Sequence, residues 1–139
     1  MNFSFSHSIS LRIRYSETDK MGFCYYGNYP AFLELARVEA LRSIGIIYAD
    51  LEHHGILLPV KSLSIDYKKP LRYDELFHVE AVLKELTACS ILFDYIILGE
   101  DQQVCTFAST RLVFTDSITL RPIKVPHHLL QLMLPYEIK

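Results

Sequence analysis

One long helical pattern, set among segments that otherwise alternate, limits what this chain can fold into. Phe32, Leu33, Ala36, Ala40, Leu41 and Ile44 recur at the three-and-four spacing that gathers apolar side chains on one helix face. Asn28 is placed to cap its N-terminus, and Pro30 suits the first turn, where an N–H has no acceptor to lose. Gly45 ends the run, and Glu34, Arg37, Glu39 and Arg42 take other positions around the helix. The apolar face needs a partner surface, and the rest of the chain offers sheet. In residues 8–15, Ile9, Leu11, Ile13 and Tyr15 alternate with Ser10, Arg12 and Arg14. Leu63, Ile65 and Tyr67 alternate with Ser62, Ser64 and Asp66, and residues 77–86, 90–98 and 104–115 read as three long strands. T-A-C and G-E-D-Q-Q join those three at hairpin length. A short helix is expected over 48–54, before Gly55, and another in the proline-broken tail after Asp116. The order predicts an α+β fold in which a curved antiparallel sheet wraps the long helix. Such a sheet has an edge strand, and pairing with a second subunit would cover it, so a homo-oligomer is expected.

The 139 residues read as a single domain, 1–139, with half of them hydrophobic. Lys and Arg number 14 against 16 Asp and Glu, a net charge of -2, which gives no global basic field for nucleic acid. No apolar run approaches the ~20 residues of a membrane span, and the N-terminus reads as no signal peptide. Cys24, Cys89 and Cys105 are odd in number and widely spaced, which predicts free thiols in a reducing cytoplasm rather than disulfides or a zinc site. His53-His54 and His127-His128 lack ligand spacing, so no metal is expected.

The chemistry is concentrated in R-I-R-Y-S-E-T-D-K-M-G-F-C-Y-Y-G-N-Y, residues 12–29. It joins a strand to a helix N-terminus, where free backbone N–H groups suit a carbonyl oxygen that is gaining charge. Gly22 and Gly27 let backbone and ligand approach, and Glu17 or Asp19 can act on the carbonyl carbon as base or nucleophile. That is the equipment of acyl transfer, and it calls for no metal or organic cofactor. The same E-T-D also has a plainer reading as a turn or cap.

The segment resembles the signature of the 4-hydroxybenzoyl-CoA thioesterase family of hotdog-fold proteins, through Arg12, Ile13, Thr18, Asp19, Gly22, Tyr26 and Tyr29. F-L-E-L-A-R-V-E is similar to the family's central helix, S-I-D-Y-K-K-P-L-R-Y-D-E to its strand and proline turn, and R-L-V-F-T-D to its last long strand. The resemblance spans roughly residues 8 to 125. It implies an acyl-CoA thioesterase with Asp19 as the catalytic carboxylate, Glu17 a bystander, and the Tyr26 N–H polarising the thioester carbonyl. Gly22, Tyr25, Gly27 and Asn28 would surround that carbonyl. Coenzyme A phosphates call for cations, and Lys68, Lys69 and Arg72 form the densest cluster, with Lys61, Arg121 and Lys124 as further candidates. The resemblance also implies active sites at a subunit interface, in a dimer or dimer of dimers. The chain departs from the pattern at Phe23 and Cys24, and Tyr26 stands where the thioesterases linked to the Tol-Pal system have histidine. A backbone donor survives that last change. Hydrolysis of an acyl carrier protein thioester and a non-catalytic acyl-CoA-binding module are the alternative readings, and the acyl group is left open.

Overall fold

The computed structural model describes residues 1–139. Strand β1 (Asn2–Arg12) leads through two single 3-10 turns to helix α1 (Tyr29–Ser43) and the short α2 (Tyr48–His53). There follow β2 (Ile56–Leu57), β3 (Val60–Tyr67), β4 (Leu76–Leu86), β5 (Ser90–Leu98), β6 (Val104–Val113), β7 (Thr115–Asp116) and α3 (His127–Met133). The five long strands form one antiparallel sheet in the order β1-β4-β5-β6-β3, and β2 pairs with β7.

Alternation along the strands decides which face becomes core. Val79 pairs with Ile9 and Ile97, Leu83 with Phe5 and Phe93, and Tyr95 with Ala81 and Ala108, so apolar side chains stack in rows across one face. Helix α1 lies against that face with Tyr29, Phe32, Leu33, Ala36, Ala40 and Leu41 buried, packing on β1 and β4. Burying each large apolar side chain is worth about 1.5–3 kcal/mol, so this seam stabilises the helix far more than its propensity does. Gly45, at φ 96, ends the helix in the left-handed region, where a Cβ would be strained.

The structure corrects several expectations. The first strand begins at Asn2, because Phe3, Phe5 and the intervening serines already alternate, and it ends at Arg12. Tyr15 therefore does not continue the inward face: it is 78% exposed and packs edge-on against Tyr73 at 5.5 Å. The last long strand stops at Val113, and Thr115–Asp116 turn away to pair with Ile56–Leu57. Arg37, which spacing sets off the apolar face of α1, is nonetheless buried, 6% exposed, beside Tyr48 and Tyr95. Asn28 makes no side-chain cap; its Nδ2 donates instead to the Glu17 carbonyl at 2.8 Å.

The two sheet edges differ. The start of β1 is covered by the C-terminus, where the Ile138 N–H donates to the Asn2 carbonyl at 2.9 Å and Tyr136 packs on Phe5. Strand β3 has no such cover, and every residue of it except Ile65 is exposed.

Candidate active site

The connection between β1 and α1 is a folded loop, tied at several points. Its two limbs meet through Asp19 N–H to Phe23 O at 2.8 Å and Tyr25 N–H to Glu17 O at 2.7 Å. The Cys24 N–H donates to the carbonyl of fully buried Leu71 at 2.7 Å, which fastens the loop to the K-K-P-L-R turn after β3. Gly22 sits at φ 86, and a Cβ there would meet nothing within 4 Å, so glycine is needed for the left-handed turn rather than for space.

The loop separates its two acids. Glu17 Oε1 accepts the Arg14 N–H at 2.7 Å, and its side chain closes the 3-10 turn Tyr15–Glu17 with Arg14 as ion-pair partner. That carboxylate is spent on local structure. Asp19 Oδ1 accepts the N–H groups of Met21 at 2.9 Å and Phe23 at 3.2 Å, a side-chain-closed turn. Both bonds fall on one oxygen, which leaves Oδ2 free. The turn reading of E-T-D therefore holds at Asp19, with Oδ2 outside those two bonds.

Asp19 lines a pocket of about 320 Å³ together with Tyr26, Tyr29, Tyr67, Lys68 and Lys69. At its edge a 3-10 turn, Tyr26–Asn28, runs directly into α1. As the first residues of that turn, Tyr26 and Gly27 have N–H groups with no acceptor inside it. Both groups are oriented by the carbonyls of their own peptides, since C=O and N–H point oppositely across a trans peptide. Tyr25 O accepts the Asn28 N–H at 3.0 Å, which aims the Tyr26 N–H, and Tyr26 O accepts the Tyr67 hydroxyl at 2.9 Å, which aims the Gly27 N–H. Tyr67 is the site residue that strand alternation alone did not single out. Its inward register and its place at the end of β3, just before Lys68, were the available signals.

The other candidates are distributed unevenly. Tyr25 is half exposed and packs on the Tyr26 ring at 4.8 Å, and a Cβ on Gly27 would come within 2.5 Å of the Tyr25 ring. Lys68 Nζ lies 2.9 Å from Asp66 Oδ2, and Lys69 Nζ is held by Gln103 Oε1. Arg72 stands over the Phe23 ring at 4.8 Å and does not line the pocket. Lys61 is six residues before Tyr67 on β3, about 20 Å away along an extended strand, and does not line the pocket of its own chain. Arg121 and Lys124 follow β7 and do not line it either. A larger hollow, about 500 Å³, lies on the outer sheet face over Val82, Ile96 and Phe107, away from Asp19.

Cys24 also borders the pocket, but burial pushes its thiol up to about 11. Almost none of it is thiolate at neutral pH, so it is no nucleophile. Alkylation with iodoacetamide at pH 8 is expected to spare Cys24 in the folded protein and to label it in denaturant, read by peptide mass spectrometry.

The chain finds counterparts in known proteins. The profile of the thioesterase-like superfamily matches residues 13–133. YneP of Bacillus subtilis, named provisionally as an acyl-CoA thioesterase, is 31% identical over 114 residues, 82% of this chain and 83% of YneP. The acyl-CoA thioesterase YbgC of Haemophilus influenzae is 29% identical over 130 residues, 88% of this chain and 95% of YbgC. The crystal structure of a DHNA-CoA thioesterase from Staphylococcus aureus superimposes with a TM-score of 0.84 at 34% identity, covering 86% of this chain and 80% of that one. This chain belongs to the thioesterase-like superfamily and has its hotdog fold.

Proposed function

We propose that the protein hydrolyses acyl-CoA thioesters, R–CO–S–CoA plus water giving R–COOH and HS–CoA. The observation that carries this is the pairing in one pocket of the Asp19 carboxylate, anchored through Oδ1 alone, with the oriented N–H groups that begin the Tyr26–Asn28 turn. The thioester oxygen is received by those N–H groups, which stabilise the negative charge it gains as the carbonyl carbon turns tetrahedral. Asp19 then supplies the second element, by attacking the carbon or by taking a proton from the water that does. In either route the oxygen gained by the acid comes from water, and the departing thiolate takes up a proton. The names of the relatives support the same substrate class.

Lys68 and Lys69 stand at the pocket, where the phosphates of a bound CoA would be attracted. The working assembly is a homo-oligomer, a dimer or a dimer of dimers, for which the uncovered β3 edge is the support. No helix is long and apolar enough to cross a membrane, and three free cysteines fit the cytoplasm. A panel of acyl-CoAs, aromatic, short-chain and long-chain, assayed by release of free thiol, tests the reading. Turnover of at least one class is expected. Binding without turnover of any of them would make the protein an acyl-CoA-binding module instead.

A further inference from the structure

The loop that follows β7, closed where Thr115 pairs with Pro122, presents two bulky aliphatic side chains to solvent. Ile118 is 90% exposed, the highest value of any large hydrophobic residue in the chain, and Leu120 is 68% exposed. Leu120 also sits at φ 58, in the left-handed region, where a branched side chain is costly and glycine is not. The other two non-glycine residues with positive φ, Asp74 and Gln102, are polar. Neither the core nor the backbone therefore calls for isoleucine at 118 or leucine at 120. Strain held beside exposed apolar surface indicates a partner outside the chain's own fold. We infer that this loop is a membrane-docking tip: Ile118 and Leu120 enter the headgroup layer of an anionic lipid surface, while Arg121 and Lys124 meet the lipid phosphates.

The loop is held in shape before it meets anything. Asp116 Oδ1 accepts the N–H groups of Ile118 and Thr119, each at 2.8 Å, and the Asp116 carbonyl accepts the Leu120 N–H at 2.9 Å. The Asp116 N–H donates to the Arg121 carbonyl at 2.9 Å. The Ser117 N–H donates to the Gly55 carbonyl at 2.9 Å, which ties the loop to the turn that ends α2. The two apolar side chains are thus preorganised, and their backbone loses little further freedom on insertion. Charge selects the surface. From Ser117 to Tyr136 there is no Asp or Glu, although the chain carries 16 acids and a net charge of -2. Arg121 and Lys124 are exposed in that stretch and form no ion pair. Size selects lipid over protein. A stable protein interface buries about 1,200–2,000 Å², and the exposed neighbours of the tip are Thr119, Arg121, Pro122 and Lys124 rather than more apolar side chains. A bilayer needs no matching surface, because apolar tips enter the headgroup layer while the cations stay at the phosphates. None of these residues lines the Asp19 pocket, so the inference goes beyond the thioesterase reading and stands apart from it.

Co-sedimentation of the full chain with large unilamellar vesicles tests this, with phosphatidylcholine alone and with phosphatidylglycerol added. The wild type is expected to sediment with the phosphatidylglycerol vesicles, with affinity falling on the order of tenfold in high salt or without the anionic lipid. An Ile118→Ser, Leu120→Gly double variant is expected to bind the same vesicles about tenfold more weakly. Leu120→Gly alone should melt at or above the wild-type temperature, because glycine relieves the positive φ, so its weaker binding is not a folding defect. Arg121→Glu with Lys124→Glu should remove the preference for phosphatidylglycerol. A wild type that stays in the supernatant with every vesicle would overturn the inference, as would an Ile118→Ser, Leu120→Gly variant that sediments like the wild type. A change of oligomeric state in that variant, read by size-exclusion chromatography with light scattering, would also overturn it, since a second copy would then cover the tip.

Discussion

Asp19→Asn is expected to lower kcat and kcat/KM for the preferred acyl-CoA together, by about 10²-fold or more, while the melting temperature stays close to that of the wild type. The two halves of that expectation come from the two oxygens. Asparagine keeps an Oδ1 that can accept the Met21 and Phe23 N–H groups, so the turn that shapes the loop survives. It loses the anionic oxygen that attacks or deprotonates. Asp19→Ala would lose the turn as well, so comparing the two separates positioning from chemistry. Glu17→Gln is the control, because its carboxylate is engaged with Arg14 and an amide oxygen can still accept the Arg14 N–H. Steady-state assays of the three variants, with thermal melts beside them, make the check. Near-normal turnover in Asp19→Asn would remove Asp19 from the mechanism.

Leu33→Ala should produce a large loss of stability. Leu33 is fully buried, on the face that the helix lays against the sheet. Removing its three terminal carbons loses their transfer free energy and leaves a cavity that a helix fixed over five paired strands closes only in part. The expected cost is about 2–5 kcal/mol, a fall in melting temperature on the order of 10 °C for a domain of this size. Ile118→Ala is the matched control, since Ile118 is 90% exposed and its loss should change stability by no more than about 0.5 kcal/mol. Urea or thermal unfolding of the pair tests this. Equal stability of the two variants would mean that α1 is not held by its apolar face.

Much of the fold is legible because two periods are cleanly separated. Three-and-four spacing over Phe32 to Leu41 has one solution, and period-two spacing in the strands has one inward face, so helix, strands and their partnership follow. Starting the first strand at Ser8 is too late, since Phe3 and Phe5 alternate with serines as regularly as the residues beyond them. Ending it at Tyr15 is also too late, because Tyr15 keeps the alternation on paper only. What breaks the strand there is the Glu17 side chain capping the Arg14 N–H, a three-residue interaction that hydrophobic periodicity does not register. Arg37 escapes the pattern for a related reason: spacing sets it off the apolar face, whereas its neighbours include two phenol groups, Tyr48 on the next helix and Tyr95 on β5.

The site divides along the same line. Asp19, Gly22 and the helix start at Tyr26 lie within a few residues of one another, so a local stretch of sequence carries the carboxylate, the left-handed turn and the free backbone N–H groups together. Which acid is free for chemistry depends on bonds within the loop, and the orientation of the donors depends on Tyr67, 41 residues away along the chain. The cations are the least legible. Lys61, Lys68, Lys69 and Arg72 look equivalent as charges in sequence, but an extended strand of about 3.3 Å per residue carries Lys61 away from the pocket, and Arg72 is engaged over the Phe23 ring. Short-range patterns determine which elements form and which backbone groups they leave free, because those are properties of neighbouring residues. Where a long, flexible, charged side chain ends up depends on what the fold brings within reach.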